Sequence, residues 1–532
     1  MARIHLTADQ DLTLPPRKVR IEAKFLIRHH QLTRPIMPQL SKTYWLPKLT
    51  PIAALIAATV FVISQTVTGN LLRADGTKAQ PNILFIFADD HSYDSIHETG
   101  NDEIETPNID EIAKAGTRFN FAYNMGGWNG ALCVASRTML NSGRFMWNAN
   151  RLNLKEEQAS DRLWSLQMKS AGYETYFTGK WHVKLKPADI FDHVGSVRGG
   201  MPKQTPAGYK RPVEGKPDKW SPYDKSKGGF WQGGKHWSEV VGDETIGFLE
   251  NASKSDKPFF MYIAFNAPHD PRQSPKEFVD KYPLDKISIP ADFQPEYPYK
   301  DAIGNTKKLR DENLAPFPRT EYAVKVNRQE YYAIITHMDQ QIGRILDALE
   351  KTGKADNTYV FFAADHGLAV GHHGLIGKQN MHEHSVRVPF FVKGPGIKAN
   401  QQINHRIYVQ DVMPTVMELG GIKKPTFVQF KSLLPLIKEK TNEHYRSIYG
   451  GYIALQRMVI KDNMKLIVYP TIQKKLLYDL NNDPLEMDNL AEAEEQAGTI
   501  EDLHAELKKL QKETGDSLNL DSSFVKPVTK GG

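Results

Sequence analysis

Apolar residues run without a break from Ile83 to Ala88 in "PNILFIFADDHSYD" and stop at two acids. A short run that is apolar at every position predicts a strand buried on both faces, with Asp89 and Asp90 at its carboxyl end. "TPNIDEIAKAG" then predicts a short helix, with Thr106 as N-cap, Pro107 in its first turn and Gly116 as its stop. The alternation recurs along the chain. "DRLWSLQMKSAG", "SEVVGDETIGFLENA" and "RQEYYAIITHMDQQIGRILDALEKTG" carry helical periodicity, whereas "YETYFTGKWH", "PFFMYIAFNAPHD", "NTYVFFAADHG" and "VPFFVKGPG" are apolar runs. Strands alternating with helices predict an α/β fold on a large, mostly parallel sheet flanked by helices.

From about residue 440 the texture changes. "RMVIKDNMKLIVYP" and "KLLYDLNNDPLEMDNLA" predict short strands joined by tight turns, followed by a helix in "IEDLHAELKKLQKE". The chain is therefore expected to divide into a leader (1–72), a catalytic domain (81–440) and a smaller C-terminal subdomain with an antiparallel sheet (441–532). Residues 195–237 form an irregular insertion rich in Gly, Pro, Lys and Trp, a kind of segment that is usually functional or mobile. Its Trp220, Trp231 and Trp237, with Lys235 and His236, are read two ways: a surface that stacks on sugar rings, or aromatics that pack the insertion onto the body.

Charge changes this picture at one end only. The formal net charge is +6, yet residues 1–50 hold nine Lys or Arg against three Asp or Glu, and the rest balances at 59 of each. The body is near neutral, so global attraction to nucleic acid is not expected. Lys48 followed by the apolar run Ile52–Ile63 is short for a comfortable membrane span and fits the core of a signal peptide within residues 37–72, with an uncleaved membrane anchor as the alternative. Translation from Met37 would give a normal charged segment ahead of it. These features predict export to the periplasm or beyond the cell, with no stable membrane span in the mature chain.

Chemistry gathers at the predicted strand ends: Asp89 and Asp90, Lys180 and His182, His269, Asp365 and His366. Singly, each reads as a turn residue or a cap. Three carboxylates drawn together would raise one another's pKa unless a cation neutralised them, and oxygen-rich sites suit Ca²⁺ or Mg²⁺. Arg137, Lys180, Lys378 and the histidines would add donors, so the expected ligand is an anionic tetrahedral group. Cys133 is the only cysteine among 532 residues. It makes no intramolecular disulfide and no thiolate zinc cage, and by itself reads as a small buried hydrophobe.

Over residues 81–490 these motifs resemble the type I sulfatases of the alkaline phosphatase superfamily. That family carries Cys-x-Pro-x-Arg or the rarer Cys-x-Ala-x-Arg, and a later Thr-Gly-Arg; this chain has "CVASR" and "NSGR". "FADD", "GKWH", "FNAPHDP", "ADHG", "GLIGKQNMHEHSVRVPFFVKGPG" and "YDLNNDPLEMDNLA" are similar to further family elements. The resemblance implies an alkaline phosphatase-like fold. It implies that Cys133 is oxidised to formylglycine (3-oxoalanine) by a formylglycine-generating or anaerobic sulfatase-maturating enzyme.

It also implies that Asp89, Asp90, Asp365 and His366 hold Ca²⁺, ahead of Mg²⁺. Arg137, Lys180, His182 and His269 would be catalytic with residue 133, and Lys378 would bind sulfate. A hydrated aldehyde has two hydroxyls, one to attack sulfur and one whose deprotonation expels sulfate. The implied activity is removal of sulfate from a sulfated substrate, with a saccharide as the default. Ala135 replaces the commoner Pro, and His366 stands where many members have Asn. Asp-His here also occurs in related phosphonate and phosphate ester hydrolases, which form the second reading. A non-catalytic sugar-binding protein on the same scaffold is the third.

Overall fold

The computed structural model describes residues 79–200 and 202–521, so the leader and signal segment expected in 1–72 lie outside the described residues. The all-apolar run folds as β1 (Asn82–Asp89), buried at every position. After α1 (Pro107–Lys114) come β2 (Thr117–Tyr123), the two-residue β3 (Gly126–Gly127), α2 (Leu132–Ser142) and α3 (Trp164–Ser170). Next are β4 (Glu174–Lys180), β5 (His193–Arg198), α4 (Trp237–Ser253), β6 (Phe259–Pro268) and α5 (Glu321–Lys351). β7 (Thr358–Ala364), β8 (Arg387–Val388), β9 (Phe390–Lys393) and β10 (Gln401–Tyr408) close the larger body.

These strands make a nine-stranded sheet in the order β8-β2-β9-β7-β1-β6-β4-β5, with β10 paired to β2. β7, β1, β6, β4 and β5 run parallel side by side, and α4 packs on both α5 and β6. This is the mostly parallel, alkaline phosphatase-like α/β architecture expected of the chain. β9 departs from the parallel set and runs antiparallel to β7. The chain between them holds only short helical turns and the two-residue β8, and a return without a full crossover reverses direction. α2 also went unpredicted, because it is buried on nearly every face and shows little amphipathic contrast.

β11 (Ser447–Tyr452), β12 (Gln456–Lys461), β13 (Met464–Tyr469) and β14 (Lys474–Asp479) form an antiparallel meander, followed by α6 (Ala497–Thr514). β3 joins the outer edge of β11, so this small sheet takes its fifth strand from the segment just ahead of Cys133. Among the described residues no helix is long and apolar enough to cross a membrane.

In the 195–237 insertion, Trp220 and Trp231 are 6% and 7% exposed, and the Trp231 indole donates to Pro222 O at 3.2 Å. Trp237 lies under the Arg198 guanidinium at 4.1 Å, and Lys235 pairs with Asp243. Of the two readings of these aromatics, packing is the one realised for Trp220 and Trp231. His236 is the N-cap of α4. Its Nδ1 accepts from Ser238 N at 3.1 Å, and its Nε2 donates to Gln273 O at 2.9 Å. Both nitrogens are committed to the neutral ring, and burial, with His337 beside it, holds its pKa well below 6.5.

The unfolded chain therefore binds a proton at this position below pH 6.5 while the folded chain does not. The stability His236 contributes is full above pH 6.5 and is lost as pH falls toward its folded pKa. His236→Asn keeps a cap acceptor without the titration. The fall in stability between pH 6.5 and 5 should become shallower by about 1.4 kcal/mol per pH unit, read from urea midpoints. Parallel profiles for the two proteins would show that His236 is not held neutral.

Candidate active site

The adjacent parallel strands β7, β1, β6 and β4 deliver the site from their carboxyl ends, where ligands bind in such sheets. β1 ends in Asp89 and Asp90, β4 ends in Lys180, His269 follows β6, and Asp365 follows β7. Gly179 makes the end of β4 possible. It sits at φ 97° beside a register shift, and a Cβ there would fall 1.8 Å from Ala264 O on β6. Asp90 and His182 take φ of 64° and 55°, strained values for side chains of their type, which tend to collect at functional sites.

α2 brings Cys133 and Arg137 to this edge. Four residues apart, they share one helix face. Cys133 lies in the first turn of this eleven-residue helix, whose N-cap Ala131 offers no side-chain cap, while Val134 N donates to Ala131 O at 3.0 Å. Ser136 points elsewhere and accepts from Gln410 Nε2 at 3.2 Å.

Each carboxylate has its own cationic partner. Lys180 Nζ bonds Asp89, Lys378 Nζ lies 2.6 Å from both Asp90 oxygens, and Arg137 Nε donates to Asp365 Oδ2 at 2.9 Å. The Cys133 thiol sits between them, 3.2 Å from Asp89 Oδ1 and 3.0 Å from Lys378 Nζ. All of these side chains are essentially inaccessible to solvent.

The lysines do not fully balance the acids. Burial lifts Asp89 and Asp90 to about 6, with the Asp365 charge adding to it and Lys180 and Lys378 only partly offsetting it. Burial would lift Asp365 too, but Arg137 and both lysines hold it below the usual carboxylate range. Burial, then Asp365 and Asp89, drives the Cys133 thiol well above its normal pKa of 9, so a thiolate nucleophile is suppressed.

Three histidines surround this cluster. His269 Nε2 lies 3.5 Å from Asp90 Oδ2, and its Nδ1 is 3.1 Å from Asp270 Oδ1. Burial and Lys378 hold its pKa below the ordinary value. His182, neutral through burial and Lys180 with a pKa near 3, has an Nδ1 without a partner. His366 bonds Gly367 O through Nδ1 at 3.0 Å and leaves Nε2 buried and unpartnered.

The donor atoms of Asp89, Asp90, Asp365 and Cys133 fall within 4.8 Å of one another, and the three carboxylates supply hard oxygens that fit a divalent cation. His366 is not in that close set. Its orphaned Nε2 is the one further donor atom beside the cluster that sequence had marked as a ligand.

A cavity of about 330 Å³ opens over Cys133, with His182, His269 and Lys378 in its wall. Sequence reading missed its remaining polar lining, Arg310, Asp311 and Gln379. Asp270 was also missed, although it stands next to His269 in "PHDP". Arg310 bonds both Asp270 and Asp311, and Gln379 donates to Asp311 Oδ2 at 2.7 Å. Among the described insertion residues only Gly200 reaches the cavity; none of the three tryptophans lines it.

A buried nest of paired carboxylates and cations at the open end of a parallel sheet defines a hydrolase for tetrahedral oxyanion esters. The family model described as "Sulfatase" matches residues 81–422, and one described as "N-sulphoglucosamine sulphohydrolase, C-terminal" matches 371–513. The chain belongs to the sulfatase family and is a sulfuric ester hydrolase. It is 27% identical over 513 residues to an N-acetylglucosamine-6-O-sulfatase of Bacteroides thetaiotaomicron, covering 82% of this chain and 87% of that protein. A solved structure in complex with its substrate D-glucosamine-2-N,6-O-disulfate superposes with TM-score 0.67 at 24% identity, covering 83% of this chain and all of the other. A phosphonate monoester hydrolase of Agrobacterium radiobacter superposes with TM-score 0.65 at 19% identity, covering 82% and 96%.

Gly200 touches the His182 ring so closely that a Cβ would lie 2.7 Å from its Cε1 and Nε2. Gly200→Ala must therefore displace His182. Sulfate ester turnover should fall roughly ten- to hundredfold, the usual result of misplacing a reacting group by about an ångström, with the melting temperature unchanged. Full turnover in this variant would show that the position of His182 does not matter.

Proposed function

We propose that the protein is an exported sulfatase acting on a sulfated saccharide, with residue 133 as formylglycine and a divalent cation, Ca²⁺ ahead of Mg²⁺, beside it. The observation that carries this reading is the placement of Cys133: sealed among acids that suppress its thiolate, yet in the one spot where a nucleophile would meet three cationic side chains. Oxidation to a formylglycine hydrate, by a formylglycine-generating or anaerobic maturating enzyme, would supply an oxygen nucleophile there. A cation held by Asp89, Asp90 and Asp365, with His366 as the further donor, would polarise a sulfate oxygen.

The chain's own residues then divide the work. Lys378 and Lys180, which a cation would relieve of their carboxylates, hold sulfate oxygens, and Arg137 fixes Asp365 and adds positive charge behind residue 133. His269 donates a proton to the leaving alcohol from Nε2, while Asp270 holds its Nδ1. It is neutral at rest, and an anionic ester arriving beside it favours the imidazolium. His182, neutral and unpartnered, accepts the proton that must leave residue 133 for sulfate to depart. Arg310, Asp311 and Gln379 are placed to meet the alcohol portion of the substrate, and their charge and amide groups suit the hydroxyls of a sugar.

The saccharide assignment draws support from the N-acetylglucosamine-6-O-sulfatase relative, and export from the leader. A phosphonate ester hydrolase is the second reading, favoured by the superposition with the phosphonate monoester hydrolase. Parallel assays on sugar sulfates and phosphonate monoesters separate the two, and faster phosphonate turnover would reverse the assignment.

Exhaustive chelation should abolish turnover while the far-ultraviolet circular dichroism persists, because the large core survives loss of an ion at its edge. Added Ca²⁺ should restore it; turnover that survives chelation would remove the cation. His269→Ala should slow a sugar sulfate about a hundredfold to ten-thousandfold. It should spare an activated aryl sulfate, whose leaving group needs no proton. Equal losses on both substrates, with chemistry rate-limiting, would take the acid role from His269.

A further inference from the structure

Four histidines, His372, His373, His382 and His384, come from the segment "GHHGLIGKQNMHEH" and stack on one another. Two of them are explained by their contacts. His382 is bonded to Glu486 through Nδ1 and to Tyr297 Oη through Nε2, each at 3.1 Å, and His373 Nε2 is bonded to Leu485 O at 2.9 Å and lies 3.3 Å from Asp292 Oδ2.

The other two are not. His372 stands between two carboxylates. Its Nδ1 lies 2.8 and 3.0 Å from the Asp292 oxygens, and its Nε2, which makes no well-aligned hydrogen bond among the described residues, lies within ion-pair distance of Asp94 Oδ2 at 3.0 Å. A neutral imidazole carries one N–H and cannot serve both. Either it holds a second proton, or one nitrogen faces a cation. His384 stacks on His372 with centroids 5.3 Å apart and planes 13° apart, and its Nε2 is sealed from solvent with no hydrogen-bond partner among the described residues.

We propose that Asp292, His372 and His384 form a second metal site, separate from the active centre, for a divalent transition metal of the zinc type. One donor atom from each residue lies within 4.8 Å of the others. Two imidazoles and one carboxylate are the donor set of zinc, whereas Ca²⁺ prefers an all-oxygen shell. In this arrangement Nδ1 of His372 turns to the metal beside Asp292, and its Nε2–H donates to Asp94. That is the carboxylate–imidazole–metal relay by which ligating histidines are held. Asp94, Asp292, His372 and His384 all line one cavity of about 400 Å³, which gives an ion a route in and leaves room for a water ligand. None of its lining residues is shared with the Cys133 cavity. The metal would fasten together both ends of the loop that carries Lys378.

The test uses the full chain, stripped by chelator, saturated with Ca²⁺ and then exposed to Zn²⁺ alone. After gel filtration, plasma mass spectrometry should find one Zn²⁺ per chain in the wild type and in Asp89→Asn. Affinity should be weaker by at least about tenfold in His384→Ala and in Asp292→Asn, since even outer-shell partners of a metal are worth that much. Co²⁺ in place of Zn²⁺ should give the visible absorption of a nitrogen–oxygen site in the wild-type protein, a readout that needs no variant to fold. Absence of retained Zn²⁺ and of Co²⁺ absorption in the wild type, loss of the metal in Asp89→Asn, or retention unchanged in both ligand variants would each overturn the site.

Discussion

The structure turns on a problem of charge. Asp89, Asp90 and Asp365 are brought to one point with no access to bulk water, and burying a carboxylate costs several kcal/mol unless it is paired. The chain pairs each acid with one cation: Lys180, Lys378 and Arg137 respectively. The match is deliberately incomplete in its effect, since Asp89 and Asp90 still sit near 6. A nest that is stable as protein alone yet remains short of positive charge has room for a metal cation. In the proposed mechanism a cation there would free the same lysines for an incoming anion, and polarity that would be a liability in a core would become an oxyanion site.

The parallel sheet makes the convergence possible. Five parallel strands end together, so residues far apart in sequence meet through the geometry of strand ends and without long reaching loops. α2 completes the arrangement by bringing Cys133 to Asp89 and Arg137 to Asp365. The antiparallel sheet is locked to this arrangement through β3, only a few residues before α2, and Tyr408 and Tyr449 tie the two sheets further where Tyr449 N donates to Tyr408 Oη at 2.8 Å.

Much of this was legible in the sequence. β1, β6 and β7 announce themselves as apolar runs ending in polar residues, because central parallel strands are buried on both faces and tolerate nothing else. Most of the marked polar residues meet at that edge for the same reason. What stayed hidden was hidden by tertiary context. α2 is buried nearly all round and so lacks the periodicity of a surface helix. β9 reverses direction because its connection lacks a crossover helix, which its composition does not reveal. Arg310, Asp311 and Gln379 reach the cavity from a long loop whose path no periodicity dictates. The tryptophans of the insertion were ambiguous because a large aromatic ring packs a loop as readily as it meets a sugar, and burial decides between the two. His366, marked in the sequence as a metal ligand, is buried and lies outside the close donor set.

The account stands most directly on the chemical state of residue 133. The chain, secreted by a host that has a sulfatase-maturating enzyme, should be purified to constant sulfate ester turnover and its peptide around residues 130–144 weighed by mass spectrometry. The account predicts an aldehyde or its hydrate at residue 133, with the sulfur gone in proportion to activity. Fully active protein that retains the Cys133 thiol would contradict it.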